Sequence, residues 1–117
     1  MTEKELIQRT KNFALRVIKL VDALPKNTAG RTIGGQLIRS GTSVAANYRD
    51  ACRGRLKAEF IAKLGIVEEE ADESALWMDL IIESGLMKGN LVADLLREAN
   101  EITAIMAASK IKARSNK

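Results

Sequence analysis

The residues best suited to chemistry are carboxylates crowded into one stretch of the chain. They are Glu68, Glu69, Glu70, Asp72 and Glu73. Inward carboxylates hold di-iron centres in helical bundles, where Glu-x-x-His pairs complete the ligand set. The chain has no histidine, so it lacks the commonest general base near neutral pH and the commonest transition-metal ligand. We therefore expect no metal site and no cofactor, and we interpret the cluster as a solvated or salt-bridging face.

The remaining reactive side chains are also poorly equipped for catalysis. Cys52 is the only cysteine, which excludes an intrachain disulfide, and without a histidine to activate it a small packed hydrophobe is the expected role. Gly30, Gly34 and Gly35 do not form a phosphate-binding loop pattern. The sequence therefore predicts that the protein is not an enzyme.

Basic residues form the second group of interest. Positions 25–63 hold eight Lys or Arg and two Asp or Glu, whereas positions 64–83 hold seven Asp or Glu and no Lys or Arg. Lysine and arginine contacts to phosphate supply sequence-independent affinity for nucleic acid. The candidate contacts are Arg49, Arg53, Arg55, Lys57, Lys110, Lys112 and Arg114. The alternative is an interaction scaffold without nucleic-acid binding, in which these cations meet the acidic stretch within or between subunits.

Apolar residues recur at three- and four-residue steps almost throughout, which is typical of amphipathic helices. The pattern predicts helices over about 3–24, 28–53 and 57–84, and a fourth that Asn90 caps and that frays past Ser109 into a basic tail from about 110. Leu91 is expected in the core of the fourth helix. Short connections favour antiparallel neighbours. We predict an all-α, antiparallel up-down-up-down four-helix bundle that forms one domain over residues 1–117.

The third predicted helix carries more apolar surface than one bundle stripe needs. Leu76, Trp77 and Leu80 lie off its main apolar stripe. They either widen the core or form an oligomer interface, where tryptophan is enriched, and we prefer the interface. No apolar run approaches the ~20 residues of a membrane span. A cytoplasmic protein is therefore expected.

Three segments together are similar to a known bacterial family. Residues 35–51, 59–64 and 69–77, with the pattern Arg-Ser-x-Thr-Ser-Val-x-Ala-Asn-Tyr from Arg39 to Tyr48, resemble the four-helix-bundle proteins of 23S ribosomal-RNA intervening sequences. That family is similar to the accessory variability determinant of diversity-generating retroelements. The resemblance implies an up-down bundle in a ring-like homo-oligomer, typically a homopentamer. It also implies that some relatives bind RNA or DNA through basic surface and dock onto a reverse transcriptase. Leu56 stands where the family often has a hydroxyl, which removes an N-cap.

Four residues match the family motif position by position: Arg39, Ser40, Asn47 and Tyr48. A shielded arginine needs a carboxylate partner, and Glu70 and Glu73 on the adjacent helix are the expected partners. We interpret these six residues as a structural polar network that fixes helix register. The predicted function is that of a non-enzymatic homo-oligomeric bundle that binds RNA or DNA as an accessory protein.

Overall fold

Four long helices account for most of the computed structural model, which describes residues 1–54 and 56–116. They are α1 (Glu3–Asp22), α2 (Thr28–Ala51), α3 (Lys57–Glu83) and α4 (Ala93–Ser115), and a 3₁₀ turn over Gly89–Leu91 precedes α4. No strand occurs within the described residues. The predicted all-α fold is confirmed. No helix in this part of the chain has the length and apolar character needed to cross a membrane.

Local sequence explains where the first two helices begin. Thr2 and Glu5 form a capping box at the start of α1, in which each side chain satisfies a backbone N–H of the other residue. The Asn27 side chain accepts a hydrogen bond from the Gly30 N–H at 2.8 Å and caps α2. Leu56 precedes α3 without any side-chain cap, as the missing hydroxyl predicted.

The predicted start and end of the fourth helix were wrong. Asn90 lies inside the 3₁₀ turn, and α4 begins only at Ala93 after the fully buried Val92. Asn90 as a cap would start the helix at residue 91, but the buried side chain there is that of Val92, and the helix follows it. Leu91, which was predicted in the core, is 61% exposed.

The predicted basic tail was also wrong, since residues 110–115 continue the helix. Lys110 forms an ion pair with Glu68 at 2.5 Å, and the Lys57 ammonium group donates to the Asn116 carbonyl oxygen. These two contacts tie the last turns of α4 to α3.

Contacts between neighbouring helices show that the paired helices run in opposite directions. Residue numbers rise along α1 from Arg9 to Arg16 while those of their partners on α4 fall from Glu98 to Asp94. The contacts of α2 with α3 run from Arg39–Glu70 to Asp50–Lys63. These directions are compatible with the predicted up-down topology.

The core between the helices is mainly aliphatic and is formed by apolar residues that recur at three- and four-residue steps along each helix. Its fully enclosed members include Val17, Leu37, Leu64, Met78 and Ile102. The α1 and α2 backbones approach closely at Gly41, where an added Cβ would lie 2.7 Å from a Val17 methyl group. A side chain at position 41 would therefore force the two helices apart.

Candidate nucleic-acid interface

One end of the bundle collects most of the predicted phosphate contacts. The end of α2, the start of α3 and the end of α4 meet there, because the Lys57 ammonium group bonds to the Asn116 carbonyl oxygen across the two helices. We name as the basic end the exposed residues Arg49, Arg53, Lys57, Lys112 and Arg114. Within residues 1–54 and 56–116, none of these five forms an ion pair with a carboxylate.

Two other predicted contacts are not in this group. Arg55 lies outside the described residues. Lys110 is only 22% exposed in its side chain, and Glu68 on α3 neutralises it. The predicted set of seven therefore contributes five exposed cations to the basic end.

Two helices end here and favour the cations beside them. The last carbonyl groups of α2 and α4 carry partial negative charge, which stabilises Arg49, Lys112 and Arg114, whereas Lys57 lies at the N-terminus of α3 and gains no such stabilisation. Arg49 lies in the last turn of α2 and Arg53 just beyond the helix end, and both line a shallow cleft of about 290 Å³ with Ala46 and Asp50. The Asp50 carboxylate contacts the Lys63 ammonium group at 2.9 Å.

Away from the basic end, cations and carboxylates pair across helices. Arg39 bonds to Glu70 at 3.0 Å and also to Glu73. Glu73 accepts a further hydrogen bond from the Trp77 indole N–H at 3.2 Å. Two members of the acidic cluster are thus occupied as salt-bridge partners, and among the described residues no group of three potential ligands could hold a metal ion.

A pair of buried hydroxyls lies beside this arginine. The Ser40 and Ser74 oxygens are 2.8 Å apart, and both residues are fully buried. Ser74 also donates to the Glu70 carbonyl oxygen at 2.9 Å. Ser74 was not predicted as a site residue, although a hydroxyl on the core-facing side of α3 was a signal that could have identified it.

The other two motif residues lie apart from Arg39. The Asn47 amide donates to the Ser43 carbonyl oxygen at 2.9 Å. Tyr48 is almost fully buried in the core beside Cys52. Burial raises the pKa of the Cys52 thiol to about 11, so the thiolate that a nucleophile requires is scarce near neutral pH.

The ion pair that joins α1 to α4 was also not predicted. Arg9 makes two hydrogen bonds of 2.7 Å to the two carboxylate oxygens of Glu98. The bond to Glu98 raises the pKa of the Arg9 guanidinium group. Charge patterning alone did not reveal this pair, because 89 residues separate its members.

The predicted interface residues on α3 differ in their environments. Leu76 is 50% and Leu80 38% exposed. Trp77 is partly buried, and its ring packs against the core. The two leucines are therefore available to a partner, while the tryptophan already has contacts in its own chain.

Comparison with known proteins places the chain in a family. The 23S rRNA-intervening sequence protein family matches residues 2–108. The chain is similar to a Bacteroides thetaiotaomicron crystal structure, described as a protein with unknown function from the S23 ribosomal protein family, with 27% identity and a TM-score of 0.86 over 94% of this chain and 98% of that one. No curated protein matches. The match covers nearly the whole sequence, and this chain therefore belongs to the 23S rRNA-intervening sequence protein family.

Proposed function

We propose that this protein is a non-enzymatic, self-associating bundle that binds the phosphate backbone of RNA or DNA through its basic end. The observation that supports this most is the set of five exposed cations at the ends of three helices, none of them paired with a carboxylate among the described residues. Such a surface binds polyanions because each phosphate contact releases condensed counterions.

The aromatic residues favour backbone contact over base stacking. All four aromatic side chains, Phe13, Tyr48, Phe60 and Trp77, are buried or partly buried. Single-strand binding proteins stack bases on exposed aromatic platforms. Binding is therefore expected to depend on charge and to vary little with sequence.

The family gives the first ligand to test. The family is named after 23S rRNA, and the similar Bacteroides protein is assigned to the S23 ribosomal protein family. Ribosomal RNA is accordingly the first choice of probe. An enzyme that acts on nucleic acid, such as a reverse transcriptase, is the protein partner that we propose from the resemblance.

The side chains that could react support a non-enzymatic role. The Cys52 thiol has a pKa of about 11, and the Glu70 and Glu73 carboxylates are held by Arg39. A general base must be free to take a proton at working pH. Neither the thiol nor these carboxylates meet that requirement.

The test is fluorescence anisotropy with a labelled fragment of 23S rRNA and with unrelated RNA and DNA. The variant Arg53/Lys57/Arg114→Ala should lose affinity on the order of a hundredfold at about 0.1 M salt, for every sequence alike. The matched control, Lys19/Arg31/Lys88→Ala, removes the same charge from exposed sites outside the basic end and should lose less than about threefold. Equal losses in both variants, or no binding by the unaltered protein, would contradict the proposal.

A scaffold without nucleic-acid binding is the second candidate. Four exposed carboxylates on α3 favour it, because Glu69, Asp72, Asp79 and Glu83 have no ion-pair partner among the described residues. If this candidate is right, the basic-end variant will alter the molar mass of the assembly, and RNA will not bind at any moderate salt concentration.

A further inference from the structure

A pocket of about 400 Å³ opens between the end of α1 and the start of α4. Its volume is in the range of sites that hold small organic ligands. We call it the α1–α4 pocket. None of the five residues of the basic end lines it, and about 25 Å of helix separates its Leu95 from Lys112 on α4. A ligand in this pocket is therefore remote from the surface that we propose for nucleic acid.

The walls of the pocket are mainly apolar. They are formed by Leu20 and Ala23 from α1, Met87 from the connection after α3, and Leu91 and Leu95 from the 3₁₀ turn and α4. Leu95 belongs to the hydrophobic core, and Leu20 and Met87 pack against it, whereas Leu91 is 61% exposed at the edge of the pocket. A ligand with an apolar body fits such walls, because its binding removes apolar surface from water on both sides.

Positive charge exceeds negative charge around the pocket. Its charged lining residues are Arg16, Lys19 and Asp94. The Asp94 carboxylate is already paired twice, with Arg16 at 3.1 Å and with Arg97 at 2.7 Å. Lys19 is exposed and has no ion-pair partner among the described residues. An anionic group on a ligand therefore meets an available ammonium group beside apolar surface, whereas a cationic group is repelled.

The dimensions of the pocket fit a small molecule better than a helix of another protein. The ion pair between Arg16 and Asp94 bridges α1 and α4 at one end of the pocket. On α1 the lining extends only from Arg16 to Ala23, about 10 Å of helix. A peptide helix of about 12 residues, the shortest that is marginally stable in water, needs about 18 Å. Such a helix would have to pass over the ion pair.

We propose that the α1–α4 pocket binds a small amphiphilic carboxylate, with its apolar body against Leu20, Met87 and Leu95 and its carboxylate beside the Lys19 ammonium group. The charge selects an anion over an amine or an alcohol, and the apolar walls select against a hydrophilic anion such as acetate. A ligand of about ten non-hydrogen atoms should bind with a dissociation constant on the order of 0.1 mM. This inference goes beyond the proposed function and does not rest on it.

Isothermal titration calorimetry with octanoate tests the charge selection on the full chain. Octanoate should bind about fivefold more tightly than 1-octanol, and octylamine should bind more weakly than either. Lys19→Gln should reduce the octanoate affinity about fivefold, to that of 1-octanol, and leave 1-octanol binding unchanged. The matched control is Lys4→Gln, which removes an exposed lysine at the other end of α1 and should have no effect. No binding of octanoate, or equal binding of octanoate and octylamine, overturns the proposal.

A blocking variant tests the location of the site. Ala23→Trp should fill the pocket and reduce octanoate affinity more than tenfold, and it should be tolerated because Ala23 is exposed at the end of α1. The matched control, Ala104→Trp, changes an exposed alanine on α4 outside the pocket and should bind octanoate normally. Circular dichroism checks that both variants remain helical. Unchanged binding by Ala23→Trp would mean that octanoate binds elsewhere and would reject the site.

Methionine methyl signals in NMR spectra locate the ligand without any blocking substitution. The chain has four methionines: Met87 lines the pocket, Met78 and Met106 are fully buried, and Met1 is 68% exposed before α1. Octanoate should shift the Met87 signal most and leave the Met1 signal in place, and Met87→Leu identifies the Met87 signal by its loss. A shift of Met1 as large as that of Met87 would indicate nonspecific adsorption to apolar surface and would contradict the proposal.

Discussion

The waist of the bundle and its basic end both carry lysine and arginine, but they differ in whether a carboxylate lies opposite these cations. By the waist we mean the inter-helix ion pairs outside the basic end, where Arg9 and Arg39 each meet a carboxylate on a neighbouring helix. At the basic end, Arg53 and Lys57 have no such partner among the described residues. The acid-rich segment 64–83 starts above this end, so its carboxylates neutralise cations at other levels. Positive charge is therefore available to a ligand where cations lack carboxylate partners, and the number of cations alone does not identify that place.

The largest effect on stability is expected from the waist pair between α1 and α4. Arg9→Met should reduce the free energy of unfolding by about 2 kcal/mol, because it removes two charge-assisted hydrogen bonds and leaves Glu98 shielded without a partner. Urea unfolding followed by circular dichroism measures this change.

An exposed pair provides the control for Arg9. Arg97 and Asp94 also form an ion pair, at 2.7 Å, but both side chains are more than half exposed. A double-mutant cycle should give a coupling of about 1 kcal/mol or more for Arg9–Glu98 and about 0.3 kcal/mol for Arg97–Asp94. Equal couplings would mean that the waist pairs are no stronger than surface pairs.

The buried serine pair should show a smaller and non-additive effect. Ser40→Ala or Ser74→Ala alone should cost about 1 kcal/mol, because the remaining hydroxyl loses a partner in the core. The double variant should cost less than the sum of the two single changes, since neither hydroxyl is then left behind. Strict additivity in the same unfolding assay would show that the two hydroxyls act independently.

At the basic end the expected change in stability is close to zero. Arg53/Lys57/Arg114→Ala should alter the free energy of unfolding by less than about 0.5 kcal/mol, because exposed cations contribute little to folding and the Lys57–Asn116 hydrogen bond is itself exposed. A loss of about 2 kcal/mol would mean that these residues stabilise the fold as the ion pairs of the waist do, and would contradict the distinction between the two regions.

The reactivity of the Cys52 thiol tests whether the cations of the basic end lower its pKa. With a pKa of about 11, the thiol should react slowly with iodoacetamide at neutral pH, and the rate should rise with pH until the thiolate dominates above that value. Chain unfolded in urea, with an ordinary thiol pKa, provides the reference rate. Rapid alkylation of the folded protein at neutral pH would indicate that nearby cations outweigh burial.

Periodicity and turn residues were sufficient to predict most of the fold. Apolar steps of three and four residues predicted helices over about 3–24, 28–53 and 57–84, and the structure has helices over residues 3–22, 28–51 and 57–83. Asn90 misled the prediction, because a capping residue is a local signal and burial of Val92 is a tertiary one.

The pairing of charges was harder to predict. Arg39 with Glu70 and Glu73 came from a family resemblance and from helix adjacency, and these contacts are present. Arg9–Glu98 and Lys110–Glu68 depend on the exact level and rotation of packed helices, and one sequence does not fix these to within a turn. For this reason Lys110 was predicted as a phosphate contact, although it forms an ion pair with Glu68.

The salt dependence of RNA affinity tests the central claim most directly. The slope of log K against log salt should be shallower in Arg53/Lys57/Arg114→Ala than in the unaltered protein by about two to three units, since each lost phosphate contact removes about 0.7–0.9. Arg39→Met, which removes a paired cation from the waist, should leave the slope unchanged. An identical slope in the unaltered protein and the triple variant would contradict the account, because it would mean that the basic end does not contact phosphate.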